Sequence, residues 1–155
     1  MNKKTTMIAR GAVIAAMYAV VTIMFQPISY GPVQLRISEA LTLTPCLWLE
    51  AVPGLFIGCL IANIIGGMGL WDIFLGSAAT LIAGILTYFA PNRAVAATAP
   101  VAVNAIIVGW YLSFLTNMPI YFSVFYVACG EAVACYALGL PLVRFIERLE
   151  SMEKK

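Results

Sequence analysis

Apolar residues run along this chain almost without interruption, and the polar breaks between them mark out six segments. The first covers residues 7–25, and a loop over 26–34 follows it with Pro27, Gly31 and Pro32. Residues 38–49 are apolar but well short of the roughly 20 needed to span a bilayer, so a half-length or strongly tilted helix is expected there. Glu50-Ala51-Val52-Pro53 reads as a turn, with Pro53 placed to open the next helix, 53–65. Gly66-Gly67-Met68-Gly69 ends that helix. Segments 71–89, 97–115 and 120–146 follow, broken by Pro91-Asn92-Arg93 and by the turn from Asn117 to Pro119, and a polar tail closes the chain. The pattern predicts a single domain over 1–155: an all-α integral membrane protein with six transmembrane helices and a short second helix.

Composition supports lipid as the solvent. Hydrophobic residues make up 63% of the chain and charged residues 10%, against about 25% charged in a soluble domain. A formal charge of +2 gives no case for nucleic acid. No histidine is present, which excludes imidazole catalysis and histidine-ligated metal; neither metal nor cofactor is expected. Cys46, Cys59, Cys129 and Cys135 lie in apolar runs without metal-ligand spacing and read as small packing residues. Lys3 and Lys4 before an apolar run resemble a signal peptide. The run is too long for that and lacks a small-residue cleavage site, so a retained first helix is expected. With six spans, one side collects Lys3, Lys4, Arg10, Arg93, Arg144, Arg148, Lys154 and Lys155, and the other holds only Arg36. The positive-inside rule then puts both termini in the cytoplasm of a bacterial cell membrane.

Small residues recur at four-residue spacing. Gly11, Ala15 and Ala19 form one row, with Ala12 and Ala16 beside it; Gly54, Gly58, Ala62 and Gly66 form another, and Gly76, Thr80 and Gly84 a third. Such rows let helix backbones approach closely. Internal packing is expected for the second and third rows, whereas the first could equally meet another protein.

An ionisable group within a span costs about 2.5–3.5 kcal/mol on insertion scales and calls for a reason. Glu131 sits near the middle of the last span with no Lys or Arg within a turn, as a ligand carboxylate, an ion-coupling group or a structural hydrogen-bond partner. Arg36 and Glu39 begin the second span. They read either as a pair beside a Ser38 cap or as one wall of an outward-facing pocket, and both can hold. Asn104, with Val108 and Tyr111 on its face, offers paired donor and acceptor groups to another helix or to a ligand. Asp72 and Asn63 are similarly open between structural and ligand roles, and Glu50 reads as a solvated or partner-facing charge in a turn. Tyr30, Trp71, Trp110, Tyr111, Tyr121, Phe122 and Tyr126 gather toward the outer side. Most suit an interfacial belt, and a few would suffice to stack on a flat ligand. Carboxylates, an amide and aromatic faces on one side suit a planar heterocycle with several donors, such as a guanine-like ring.

The stretch Ile28-Ser29-Tyr30-Gly31-Pro32-Val33-Gln34-Leu35-Arg36-Ile37-Ser38-Glu39-Ala40-Leu41 resembles the signature of the QueT family. Pro53-Gly54-Leu55-Phe56-Ile57-Gly58-Cys59-Leu60-Ile61-Ala62-Asn63 and Gly130-Glu131-Ala132-Val133-Ala134-Cys135-Tyr136 are similar to it as well. The resemblance implies a substrate-binding (S) component of an energy-coupling factor (ECF) transporter for queuosine precursors. It implies an outward pocket closed by the loop between the first two helices, here about 26–35. It further implies a T subunit and two ATPase subunits as partners, and an alanine-xxx-alanine contact to the T subunit, Ala12 with Ala16 or Ala15 with Ala19. The implied ligand is a 7-deazaguanine base carrying an aminomethyl or nitrile group, or queuine. Glu131, Glu39, Arg36, Asn104, Tyr30, Trp71, Asp72 and Trp110 are its expected contacts. No GxxxxGK[ST] pattern is present, so ATP hydrolysis would have to come from other chains. A stand-alone cation-coupled carrier, an S component for another vitamin and an intramembrane enzyme using Glu39 and Glu131 are the alternatives. The lack of a nucleophile–base pair disfavours the enzyme.

Overall fold

The computed structural model describes residues 2–29, 35–67 and 69–153, and every regular element among them is a helix. In chain order these are α1 (Lys3–Met24), a single turn α2 (Gln26–Ser29), α3 (Ile37–Cys46), α4 (Ala51–Ile65), α5 (Asp72–Phe89), α6 (Arg93–Thr116) and α7 (Ile120–Met152). Four of them, α1, α5, α6 and α7, are long and apolar enough to cross a membrane. The apolar α4 is shorter, so the six-span reading of the sequence depends on α3 and α4.

Local chemistry sets the boundaries. Asn92 accepts a hydrogen bond from the Val95 N–H at 2.9 Å, which starts α6 four residues before the apolar run suggests. Asn117 ends α6 in the left-handed region at φ 53°. Helix α4 begins at Ala51, leaving Pro53 in the first turn, where its missing N–H has no ladder partner to lose. Gly67, at φ 65°, turns the chain out of α4.

The main departure from expectation is α3. It is a 3-10 helix of ten residues, well beyond the usual three or four for this geometry. At about 2.0 Å rise per residue it reaches about 20 Å, where an α-helix of that length would reach about 15 Å. Two threonines reinforce the tight ladder by donating to carbonyls three residues back, Thr42 to Glu39 at 2.5 Å and Thr44 to Leu41 at 2.7 Å. Residues from Ser38 to Pro45 are all buried, so α3 is the axle around which the longer helices pack.

Helices α1 and α4 touch backbone to backbone. A Cβ on Gly54 would lie 2.5 Å from the Gly11 carbonyl oxygen, and one on Gly58 would lie 2.6 Å from that of Ala15. The two alanine registers of α1 therefore separate: Ala15 and Ala19 are buried against the chain itself, while Ala12 and Ala16 are exposed. Ile14, Tyr18, Leu41, Leu55 and Cys59 close the core on that side, and Leu43, Ala96, Ala97, Cys135 and Val143 on the other. Of the cysteines read as packing residues, Cys59 and Cys135 are buried, Cys46 is half-buried and Cys129 faces outward.

One end of the bundle carries a polar clamp. Arg10 lies 3.6 Å from Glu50 and 3.4 Å from Glu150, stacks over Trp48 at 4.9 Å, and Trp48 donates to Glu150 at 3.2 Å. Arg93 contacts Glu147 at the same end. Glu50 is thus held by Arg10 rather than left solvated. These contacts bring together the start of α1, the turn into α4, the start of α6 and the end of α7.

Candidate functional site

Three carboxylates are buried inside the bundle, and each sits where helical geometry departs from α. Glu39 lies in the 3-10 turns of α3. Asp72 opens the π-helical start of α5, Asp72–Gly76. Glu131 stands two residues before the π segment of α7, Val133–Gly139. Wide π turns often accompany functional sites, because they re-aim the side chains beside them.

Arg36, just before α3, pairs with Asp72 at 3.2 Å and donates to the Asn63 side-chain oxygen at 3.2 Å. Tyr111 donates its O–H to the same Asp72 oxygen at 2.8 Å, and the Asn63 amide donates to the Asp72 carbonyl at 2.7 Å. Gly76 faces this network, and a Cβ there would come into contact with Asn63 and Tyr111 at 3.4 Å. The expected Arg36–Glu39 pair does not form. Arg36 reaches across to α5, because it precedes α3 in extended backbone and stands off the helical face that turns Glu39 toward α1. Ser38 is not a cap either: it lies within α3, and its hydroxyl meets that of Thr22 at 2.6 Å. Asp72 spends its carboxylate on Arg36 and Tyr111.

Glu39 is fully buried and accepts the O–H of Tyr18 on α1. Its second oxygen has no hydrogen-bond partner among the described residues. Asn104 of α6, also buried, stands within interaction range of both Glu39 and Glu131. Glu131 has the Cys135 thiol at 4.0 Å, a distant and weak donor. Neither glutamate forms an ion pair among the described residues. Glu39, Asn104 and Glu131 therefore make a second polar centre beside the Arg36–Asp72 centre, rich in acceptors and poor in donors.

The aromatic residues divide. Trp71 is 50% exposed and stacks on Tyr111, with centroids 6.5 Å apart and planes 20° apart; Trp110, 44% exposed, meets Trp71 edge-on at 6.3 Å. Tyr111 is the aromatic that enters the buried network, and Trp110 reaches it only through Trp71. Tyr30 lies outside the described residues. The sequence reading missed Tyr18. Its signal was available: Ala15, Tyr18, Ala19 and Thr22 share one face of α1, and a tyrosine beside two alanines of a packing row has to bury its hydroxyl against a partner.

A bundle of apolar helices around paired and unpaired buried charges defines a multi-pass membrane protein with a polar site inside it, the setting in which intramembrane ionisable groups mark a solute pathway. The family model for the QueT transporter matches residues 8–148, and the chain belongs to that family. Among curated proteins, the queuosine precursor transporter QueT of Lactococcus lactis subsp. cremoris is 35% identical over 83 residues. That match covers 52% of this chain and 48% of the relative, so the aligned stretch spans about half the length of each. No solved structure matches.

Proposed function

We propose that this protein is the substrate-capturing S component of an ECF transporter, and that it holds a queuosine precursor between Glu39, Asn104 and Glu131. The carrying observation is the pair of buried glutamates with an amide beside both and one carboxylate oxygen left without a donor, in a chain of the QueT family. A deazaguanine edge presents adjacent N–H donors that a carboxylate accepts as a pair, and charge-assisted bonds of this kind are about twice as strong as neutral ones. Arg36, Asp72 and Asn63 form the opposite wall, Trp71 on Tyr111 offers a flat face, and Trp110 lines the approach.

In this reading all six segments cross a bacterial cell membrane with both termini in the cytoplasm. The long reach of α3, ten residues at the 3-10 rise, supports a crossing by this short helix. The T subunit docks on α1 at Ala12 and Ala16, the register left exposed, and two ATPase subunits supply the energy. The deciding experiment has two parts. Calorimetry of the purified protein against aminomethyl and nitrile deazaguanines, guanine, riboflavin and thiamine should show tight binding of a deazaguanine alone. Liposomes should take that ligand up only when T and ATPase subunits and ATP are included. Uptake by this chain alone under a pH gradient overturns the ECF reading in favour of a stand-alone carrier, and tight riboflavin or thiamine binding overturns the substrate.

A further inference from the structure

The buried charges do not balance. Arg36 neutralises Asp72 across 3.2 Å. Glu39 and Glu131 then remain, buried at 0% and 3% exposure, with no cation paired to either among the described residues. Tyr18 donates one hydrogen bond to Glu39, and the Asn104 amide stands within interaction range of both carboxylates. The second oxygen of Glu39 has no donor at all among the described residues. Two uncompensated carboxylates at this depth cannot both stay ionised in an empty site, because an unpaired buried charge costs several kcal/mol.

We propose that the Glu39–Glu131 pair is a cation-exchange site: it holds a proton when empty and gives it up when a planar base bearing a protonated primary amine binds. This deepens the queuosine-precursor reading and rests on it. One O–H bond of a glutamic acid breaks, the proton leaves to solvent, and the carboxylate left behind pairs with the ammonium of the ligand. One positive charge enters as one departs, so the buried charge is the same before and after. A neutral ligand of equal shape, with a nitrile in place of the aminomethyl group, makes no such exchange and leaves the carboxyl protonated.

The other titratable and charged groups facing the pair are few. Tyr18 on α1 flanks it on one side with Cys59 of α4 packed in the same cluster, Arg36 and Asp72 form their own pair, Tyr111 on α6 is bonded to Asp72, and Cys135 lies one turn from Glu131. None of them supplies a second positive charge.

The test uses purified full-length protein and two probes, the aminomethyl and nitrile deazaguanines. The aminomethyl form should bind about thirty- to a hundredfold tighter at neutral pH, the lower end of what a buried charge pair contributes. Calorimetry in phosphate and in Tris should show about one proton released per aminomethyl ligand and none for the nitrile. Affinity for the aminomethyl form should rise with pH while that for the nitrile stays flat or falls. Glu131→Gln and, separately, Glu39→Gln should each reduce proton release and narrow the preference, with folding checked by size-exclusion profile. Equal or tighter binding of the nitrile with no proton release overturns the exchange proposal and leaves the queuosine-precursor reading standing. Failure of both probes to bind overturns that reading, and the exchange proposal with it.

Discussion

Gly58→Ala adds one methyl group where α1 and α4 meet, and the structure sets its consequence. The new Cβ would lie 2.6 Å from the Ala15 carbonyl oxygen, 2.9 Å from the Tyr18 Cβ and 3.0 Å from the Ala15 Cα. Two of these three atoms are backbone, so no side-chain rotation relieves the clash. Ordinary contact begins at about 3.4 Å, so α1 has to move away by roughly 0.8 Å. Overpacking of this kind costs about 1–3 kcal/mol. Exchanging glycine for alanine inside a helix returns about 0.5–1 kcal/mol through backbone entropy, leaving a net loss of up to about 2.5 kcal/mol, centred near 1 kcal/mol. On the scaling for chains of this length, that centre is about 2–4 °C in melting temperature. Gly84→Ala is the control, because the nearest atom to its Cβ would be in Val52 at 3.7 Å, and it should be neutral or mildly stabilising. Thermal unfolding of both variants in the same detergent, followed by tryptophan fluorescence, makes the comparison. Because Tyr18 rides on α1, Gly58→Ala should also weaken ligand binding, and Gly84→Ala should not. Equal melting temperatures for the two variants would refute the claim that α1 and α4 are in backbone contact.

Further outcomes follow from the buried centres. Removing one member of the Arg36–Asp72 pair, as in Arg36→Leu, should cost about 3–5 kcal/mol and sharply reduce folded yield, while the double variant with Asp72→Leu should recover much of it, because a buried pair often exchanges neutrally for apolar residues. Tyr18→Phe should leave packing intact but remove the donor to Glu39, weakening calorimetric binding about tenfold, in line with about 1–3 kcal/mol for an unsatisfied buried acceptor. Glu131→Gln should weaken binding of an aminomethyl deazaguanine by more than tenfold, and normal affinity would return Glu131 to a structural role. Arg10→Gln, in the half-exposed clamp at the far end, should lower stability by less than about 1 kcal/mol in detergent melts.

Much of this was legible in the sequence, since apolar run length and glycine breaks report helices directly. Asn117 ended α6 where expected, and Gly67 ended α4 one residue into the predicted glycine turn. The buried acids could be singled out because charge at membrane depth is costly wherever it occurs. Their partners could not. Arg36 and Glu39 stand three residues apart, which reads as a pair in sequence, yet Arg36 lies in extended backbone before α3 and reaches α5, while Glu39 inside the helix turns to α1. Asn63 and Asp72 depend on how α4 meets α5, and Tyr18 on how α1 meets α3. Those are tertiary choices that no local pattern carries. The alanine register of α1 was undecidable for the same reason, until Gly54 and Gly58 fixed which face α4 covers.

The π turns beside Asp72 and Glu131 bear on how such chains diverge. A π turn closes from residue i to i+5, so it holds one residue more than the α ladder on either side of it. Loss of a single codon anywhere in 133–139 would let α7 run as an unbroken α-helix without turning its two ends against each other, because the wide turn absorbs the extra residue locally. Glu131 would keep its side of the helix but lose the widened turn that follows it and sets how its side chain is aimed, and a hydropathy profile would register no change. A one-residue gap inside this helix, between one member of the family and another, is therefore a change in how the carboxylate is presented, disguised as a change of length.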